Sequence, residues 1–367
     1  MEIFGSIIIF IGVLIVLILV HEWGHYIVAK LTGMRVDEFG IGFPPKIFSF
    51  TRGETEYTLN ALPIGGFVRI YGEDPTTLTK HDLDKDRAFG ARPTWAQALV
   101  LIAGVVMNAL LAWVLLTAVL MIGSPTQVSE AEAGPGAELL IGSVLPDSPA
   151  AEAIPAGATV LAATTAEAQL ATLTPSALSD FVAEQGSVPI AVTYQLGDDT
   201  TTSTVTPVIG LIAEDPDRAA LGVQLLLVED VSLPFLSAVG EGFARSVELT
   251  GAIIVGVYSL IVGSFTGGAD LSQVAGPIGI VSYVGDAAAV GVSALLFFMA
   301  VISLNLAVIN LLPIPALDGG RLIFVAIEAV IRRPIKAIWA ARINMVGFAF
   351  LLLLMLVIAV SDITKMF

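Results

Sequence analysis

The chain has 367 residues, 56% of them hydrophobic and only 14% charged, with a mean hydropathy of +0.87. That is far more apolar than an ordinary soluble domain. It has no cysteine, which excludes disulfides and thiolate metal sites, and its pI of about 4.5 with no basic stripe argues against nucleic acid as a partner.

The first element is a membrane-length apolar segment, residues 1–30, with no charge from Ile3 to Val20. It has no basic start and ends in His-Glu-Trp-Gly-His, so it reads as retained rather than as a signal peptide. Ionisable residues at bilayer depth are costly and mark function by default. His21 and His25 lie four apart, on one face of a helix, where both imidazoles can reach one metal ion. Glu22, beside the first, is placed to act as general base on a water polarised by that metal.

Residues 31–94 follow as a β element and a polar loop. Phe39 to Pro45 is rich in glycine and aromatics; Phe48–Phe50, Glu56–Leu59 and Gly66–Ile70 alternate like short strands, with a turn at Arg52-Gly53-Glu54. His81, in the loop 73–94, reads as a solvated histidine. A second span covers 95–122. Residues 130–230 are soluble and acidic, with strand-like runs at 139–144, 159–163, 190–196, 202–208 and 221–227. A helix is predicted at 175–185, with Leu178, Phe181 and Val182 on one face, and a short one after Asp147-Ser148-Pro149, with Ser148 as N-cap. Residues 231–286 are expected to lie at the interface or against the helix bundle. A third span, 287–320, ends in Asp-Gly-Gly, and a fourth covers 340–362.

Charge orients these segments. Residues 30–94 hold nine Lys/Arg, and 319–342 hold Arg321, Arg332, Arg333, Lys336 and Arg342, whereas 124–235 holds only Arg218 against fifteen Asp/Glu. The positive-inside rule puts the two basic stretches in the cytoplasm and the acidic one outside. This predicts four spans; a spanning 249–269 would turn 319–342 outward.

Two histidines leave a catalytic zinc one protein ligand short. Asp318 ends 31 uncharged residues, Ala287 to Leu317, at the depth where the first span reaches His25. Pro313 and Pro315 break the helix before it, and Gly319-Gly320 permits close backbone approach. Asn305 and Asn310 on the same segment are candidates to pair with an extended substrate backbone or to stabilise an oxyanion, while Asn108 reads as a bridge between helices.

Together these residues resemble the site-2 proteases, specifically the bacterial RseP-type intramembrane zinc metalloproteases. The resemblance rests on His21 to His25, Phe39-Gly40-Ile41-Gly42, Pro63 to Val68, Ala103 to Asn108, Gly276 to Ile280 and Asn310 to Gly320. It implies one zinc ion per chain on His21, His25 and Asp318, with Glu22 as base. It also implies a membrane-reentrant β element that presents substrate, with Gly65, Gly66 and Phe67 in contact with it. The acidic insert would be a PDZ-like domain, on the strength of Gly142 to Ala151. One such domain fits here where many relatives carry two, and Gly157-Ala158 stands where Gly-Asp is usual.

The expected fold is therefore a polytopic α-helical membrane protein of four transmembrane helices, with a membrane-reentrant β element and an inserted extracytoplasmic PDZ-like domain. Its expected location is the bacterial inner membrane, with the active site toward the cytoplasm. Its expected substrates are single-span membrane proteins within the lipid bilayer, such as anti-sigma factors or signal-peptide remnants. Intact His21, Glu22, His25 and Asp318 disfavour a non-enzymatic scaffold. The bare outer halves of the apolar segments disfavour a metal transporter.

Overall fold

The structure is a computed structural model and describes residues 2–73, 84–151, 153–197, 199–211, 215, 217–266, 275–333 and 335–365; His81 lies outside them. In chain order the elements are α1 (Glu2–Leu31), β1 (Val36–Arg52), β2 (Thr55–Ile70), α2 (Thr94–Ile122), β3 (Ser124–Gln127), β4 (Glu138–Val144), β5 (Thr159–Thr164), α3 (Pro175–Gln185), β6 (Ile190–Leu196), β7 (Asp199–Val205), β8 (Val208–Ile209), β9 (Ala219–Ala220), β10 (Val223–Val231), α4 (Phe235–Thr266), α5 (Pro277–Val290), α6 (Val292–Leu311), α7 (Asp318–Ile331) and α8 (Ala337–Lys365). They form two compact units, Gly123–Leu233 and the remainder.

The larger unit is helical because long apolar runs satisfy their backbone polar groups in hydrocarbon only by intra-segment bonds. Among the described residues five helices, α1, α2, α4, α6 and α8, are long and apolar enough to cross a membrane. The stretch read as one span over 287–320 is divided. Gly291, at φ +139°, separates α5 from α6. Pro313 and Pro315 then end α6, and Asp318 opens a new helix instead of closing the old one. α8 is largely exposed and is pinned at its far end, where the buried Asp362 carboxylate accepts the N–H of Gly276 (3.1 Å) and of Gly279 (3.0 Å).

β1 and β2 are each bent, near Pro44-Pro45 and near Leu62 to Gly66. Phe39 thus pairs with both Tyr57 and Val68, and Tyr57 pairs with Phe50 as well. Two long strands thereby build four antiparallel rungs, with Gly66–Arg69 as one outer edge. The glycine-rich run Phe39 to Gly42 is itself strand, which its composition concealed. The root of the hairpin, Val36 and Ile70, is buried with Ala29, Met34, Phe89, Val100, Leu101 and Val325. One core cluster thus joins the end of α1, the hairpin, the start of α2 and α7.

The smaller unit is a six-stranded antiparallel sheet in the order β3-β10-β4-β5-β6-β7, with the pair β8-β9 beside it. Leu178, Phe181 and Val182 of α3 pack on Leu139, Ile141, Val160, Ile190 and Val192. Thr174 caps α3 by accepting the N–H of Ala177 (3.3 Å). Where a short helix is expected after Pro149, the described residues form turns. Asp147, at φ +61°, swings the chain aside, and Ser148 Oγ donates to Gly222 O (3.4 Å) instead of capping.

At the hairpin tip Glu54 accepts from Lys30 Nζ (2.6 Å) and, bidentately, from Arg87 (2.7 and 2.8 Å). Arg87 and Lys30 hold its carboxyl down from 4.5 to about 2. A depressed folded pKa means stabilisation that is present above about pH 4.5 and lost as pH falls toward about 2. Glu54→Gln should therefore weaken hydrogen-exchange protection of residues 48–59 at pH 7. The difference from wild type should shrink progressively below pH 4.5.

Candidate metal and catalytic site

His21 and His25 project from the last third of α1 onto α2, and both are buried. Their ligand atoms and a carboxylate oxygen of Asp318 all lie within 4.8 Å of one another. His21 Nε2 is 3.1 Å and His25 Nε2 3.3 Å from Asp318 Oδ2, and the two Nε2 atoms are 3.2 Å apart.

The neighbours fit a cation at this point. His25 Nδ1 donates to Val100 O (2.7 Å), which fixes the proton on Nδ1 and leaves the Nε2 lone pair facing Asp318. His21 Nδ1 meets the amide of Asn108 at 3.3 Å. Rotating that amide by 180° would turn its oxygen to the ring and put the His21 proton on Nδ1 as well, again freeing Nε2. Gly104 makes room for both rings. A Cβ there would fall 2.7 Å from His21 Cε1 and closer still to His25 Nε2. Two neutral imidazoles and one carboxylate, closed on three sides, form a donor set suited to zinc.

Two cavities flank this cluster, and His21, Glu22, Gly66 and Asp318 line both. One, of about 190 Å³, is polar at its far side, where Arg321 Nη2 pairs with Glu73 Oε1 at 2.5 Å. The other, of about 270 Å³, is bounded by Ile18, Gly65, Asn108, Leu306 and Asn310. Glu22 is therefore reached from either side. Gly66 stands against it, since a Cβ there would lie 3.2 Å from Glu22 Cγ.

Of the residues singled out from the sequence, His21, Glu22, His25, Asp318, Gly65, Gly66 and Asn310 meet here, with Phe67 at the wall of the smaller cavity. Asn310 Nδ2 is 3.4 Å from His21 Nε2. Asn305 is not brought in: it lines neither cavity, and its amide donates to Val301 O (2.9 Å) on its own helix. Sequence reasoning offered both asparagines, whereas the geometry brings only Asn310 to these cavities. It also gave Asn108 a bridging role, missing its contact with His21, and it passed over Glu73 and Arg321. Arg321 is three residues after Asp318, a spacing that points inward only once α7 is known to begin at Asp318.

The model of peptidase family M50 matches residues 9–354 of this chain. The chain belongs to that family. A putative zinc metalloprotease of Clostridium perfringens is 36% identical over 349 residues, covering 95% of each chain. The regulator of sigma-W protease RasP of Bacillus subtilis is 30% identical over 439 residues, covering 99% of each. A putative zinc metalloprotease of Synechocystis is 35% identical, covering 96% of this chain and 93% of its own. Family membership makes the chain a metallopeptidase of the site-2 protease type, and with its apolar helices a multi-pass membrane protein.

Gly104→Ala should lower affinity for a divalent metal roughly tenfold or more, as disturbed outer-shell groups do. Gly12→Ala, with nothing within 4 Å of the added methyl, is the control on the preceding turns of α1. Metal content after dialysis against a graded chelator measures both.

Proposed function

We propose that this chain is an intramembrane zinc peptidase whose metal is held by His21, His25 and Asp318, with Glu22 as the proton carrier. The observation that carries the reading is the convergence of these three ligand atoms beside a carboxylate that two cavities reach. Relatives named as zinc metalloproteases support the choice of metal, and one named as a regulator of sigma-W protease supports a role in regulated intramembrane proteolysis.

When bound, zinc supplies a Lewis acid that polarises the scissile carbonyl and acidifies a neighbouring water. Glu22 takes the proton of the attacking water and returns it to the leaving amine nitrogen. His25 is held in register by Val100 O and His21 by Asn108. Among the described residues the outer edge at Gly66–Arg69 is paired on one side only, which suits it to hold an extended substrate backbone across from Glu22. Asn310 can then pair with substrate from the larger cavity, and the ion-paired Glu73 and Arg321 suit the smaller cavity to admit water.

Helix directions support four spans. Residues near the end of α1 and the end of α6 meet at one site, so these helices run the same way, while α2 starts beside that site and runs opposite. From α2 to α6 the chain must therefore recross an even number of times or not at all. If α4 crossed, α5 would have to cross back. Its 14 residues reach about 21 Å, short of a hydrocarbon core of about 30 Å. On this reading α4 packs on α2 without crossing, the basic stretches 30–94 and 319–342 are cytoplasmic, and the 123–233 unit is extracytoplasmic. Its antiparallel sheet and a groove of about 450 Å³ between α3 and Val223–Leu225 suit a PDZ-like domain.

Two experiments test this. Purified Glu22→Gln should keep its zinc yet lose cleavage of a single-span substrate by roughly 100-fold or more, the scale of general acid–base catalysis. Asp318→Asn should lose zinc and cleavage together. Turnover by Glu22→Gln close to wild type would sink the proton-carrier role.

Because the chain has no cysteine, single cysteines report sidedness directly. Arg333→Cys should be labelled by an impermeant thiol reagent only from the cytoplasmic side, and Thr200→Cys only from outside. Labelling of the former from outside would mean that α4 spans.

A further inference from the structure

The turn that delivers Asp318 is in an unfavourable state for its sequence, and α8 is what touches it. Leu317 N donates to Ile314 O at 3.1 Å, closing a β-turn whose central residues are Pro315 and Ala316. Ala316 has φ +80°, which is the second central position of a type II turn, normally glycine or asparagine. Pro315 suits type I equally well, and alanine prefers it. The two types differ by a 180° flip of the Pro315–Ala316 peptide. Something must therefore hold this peptide in its flipped sense.

Two residues of α8 do so. The N–H of Ala316 donates to Asn344 Oδ1 at 3.3 Å. Three residues on, and so on the same face, the buried Gly347 lies against the other end of the same peptide; a Cβ there would meet the Pro315 carbonyl oxygen and lie 2.6 Å from Pro315 Cβ. In the type I sense the Pro315 carbonyl would swing toward Asn344 Oδ1, setting acceptor against acceptor, and Ala316 N–H would lose its partner. From the other side the bare Gly320 of α7 closes on Ile314 and Pro315. Asp318 begins α7 two residues after Ala316, and its Oδ2 must stay within reach of both histidines. A flipped peptide would redirect the chain entering α7.

We infer that Asn344 and Gly347 of α8 are positioning residues for the third metal ligand, holding the Pro315–Ala316 peptide in the type II sense that places Asp318. This rests on the reading of Asp318 as a ligand. It gives α8, which is otherwise largely exposed, a stated part in the reaction.

The test uses the full chain, zinc-loaded and reconstituted, with zinc release to excess water-soluble chelator measured beside kcat and KM on a single-span substrate. Asn344→Leu should release zinc roughly tenfold faster, as loss of an outer-shell group does, and lower kcat with KM little changed. Adding Ala316→Gly should restore most of both, because glycine takes φ > 0 without help. A merely structural asparagine would not be rescued at a turn on another element. Ala316→Val strains the same turn without touching α8 and should also release zinc faster, so the inference stays testable should Asn344→Leu fail to fold. Wild-type zinc release by both Asn344→Leu and Ala316→Val, or failure of Ala316→Gly to rescue, would overturn the inference. Wild-type zinc retention by Asp318→Ala would overturn instead the ligand reading beneath it.

Discussion

Charged and polar groups at membrane depth have to be enclosed by the chain itself, and the helical unit is built around that requirement. An ionised side chain at the centre of a spanning helix costs about 3 kcal/mol on insertion scales, and α1 carries His21, Glu22 and His25 within one and a half turns. Each is given a polar or bare surface to face. Val100 offers a carbonyl, Asn108 an amide, Gly104 the absence of a side chain, and Asp318 a carboxylate. Remove any one and an imidazole faces either hydrocarbon or a clash. The close approach of α1 to α2 follows from the same need.

Enclosure is achieved with parts distant along the chain, so those parts have to be held in register. The cluster of Ala29, Met34, Val36, Ile70, Val100, Leu101 and Val325 does this just beyond the site. It fixes the exit of α1, both ends of the hairpin, the entrance of α2 and the body of α7 against one another. The two bends of β1 and β2 then carry Gly66 to Glu22, and a side chain at 66 would press on Ile18 and Glu22. The hairpin is thus part of the wall of the site. Its outer residues Phe43, Ile47, Phe48 and Leu62 are apolar and exposed.

What the sequence disclosed were features that periodicity and charge record. The i, i+4 histidines, the carboxylate closing a long uncharged run, the turn at Gly53 and the capped α3 all leave marks of that kind. It was silent where structure depends on backbone geometry. Phe39-Gly40-Ile41-Gly42 alternates only with glycine, a residue that weakens strands, yet it is strand, because it is paired on both edges and glycine admits Phe67 across it. The uncharged run from 287 onward looks continuous to a hydropathy window, though Gly291 and Pro313 cut it into pieces. Asn305 and Asn310 are indistinguishable as residues; only the helix phase, with one amide bonded to Val301 O and the other beside His21, separates them. The short helix after Pro149 had its cap and its proline but lost to the left-handed turn at Asp147.

A peptide bond is stable in lipid for want of water, and a site that cuts there has to bring two immiscible reactants to one atom. The arrangement of the two cavities answers this on the proposed reading. The larger cavity, bounded by Ile18, Leu306 and Asn310, suits an unwound stretch of a membrane helix whose freed amides need partners such as Asn310 and the strand edge. The smaller cavity, with the Glu73–Arg321 ion pair in its wall, suits water. Neither cavity needs to cross the membrane, because Glu22 and the ligand cluster form the partition between them and face both. That geometry places the reactive carboxylate near the end of α1, where a route to water is short. It also explains why the third ligand comes from a turn: a continuous α6 would have carried Asp318 past the partition along its own axis, whereas the break at Pro313 folds it back beneath the histidines.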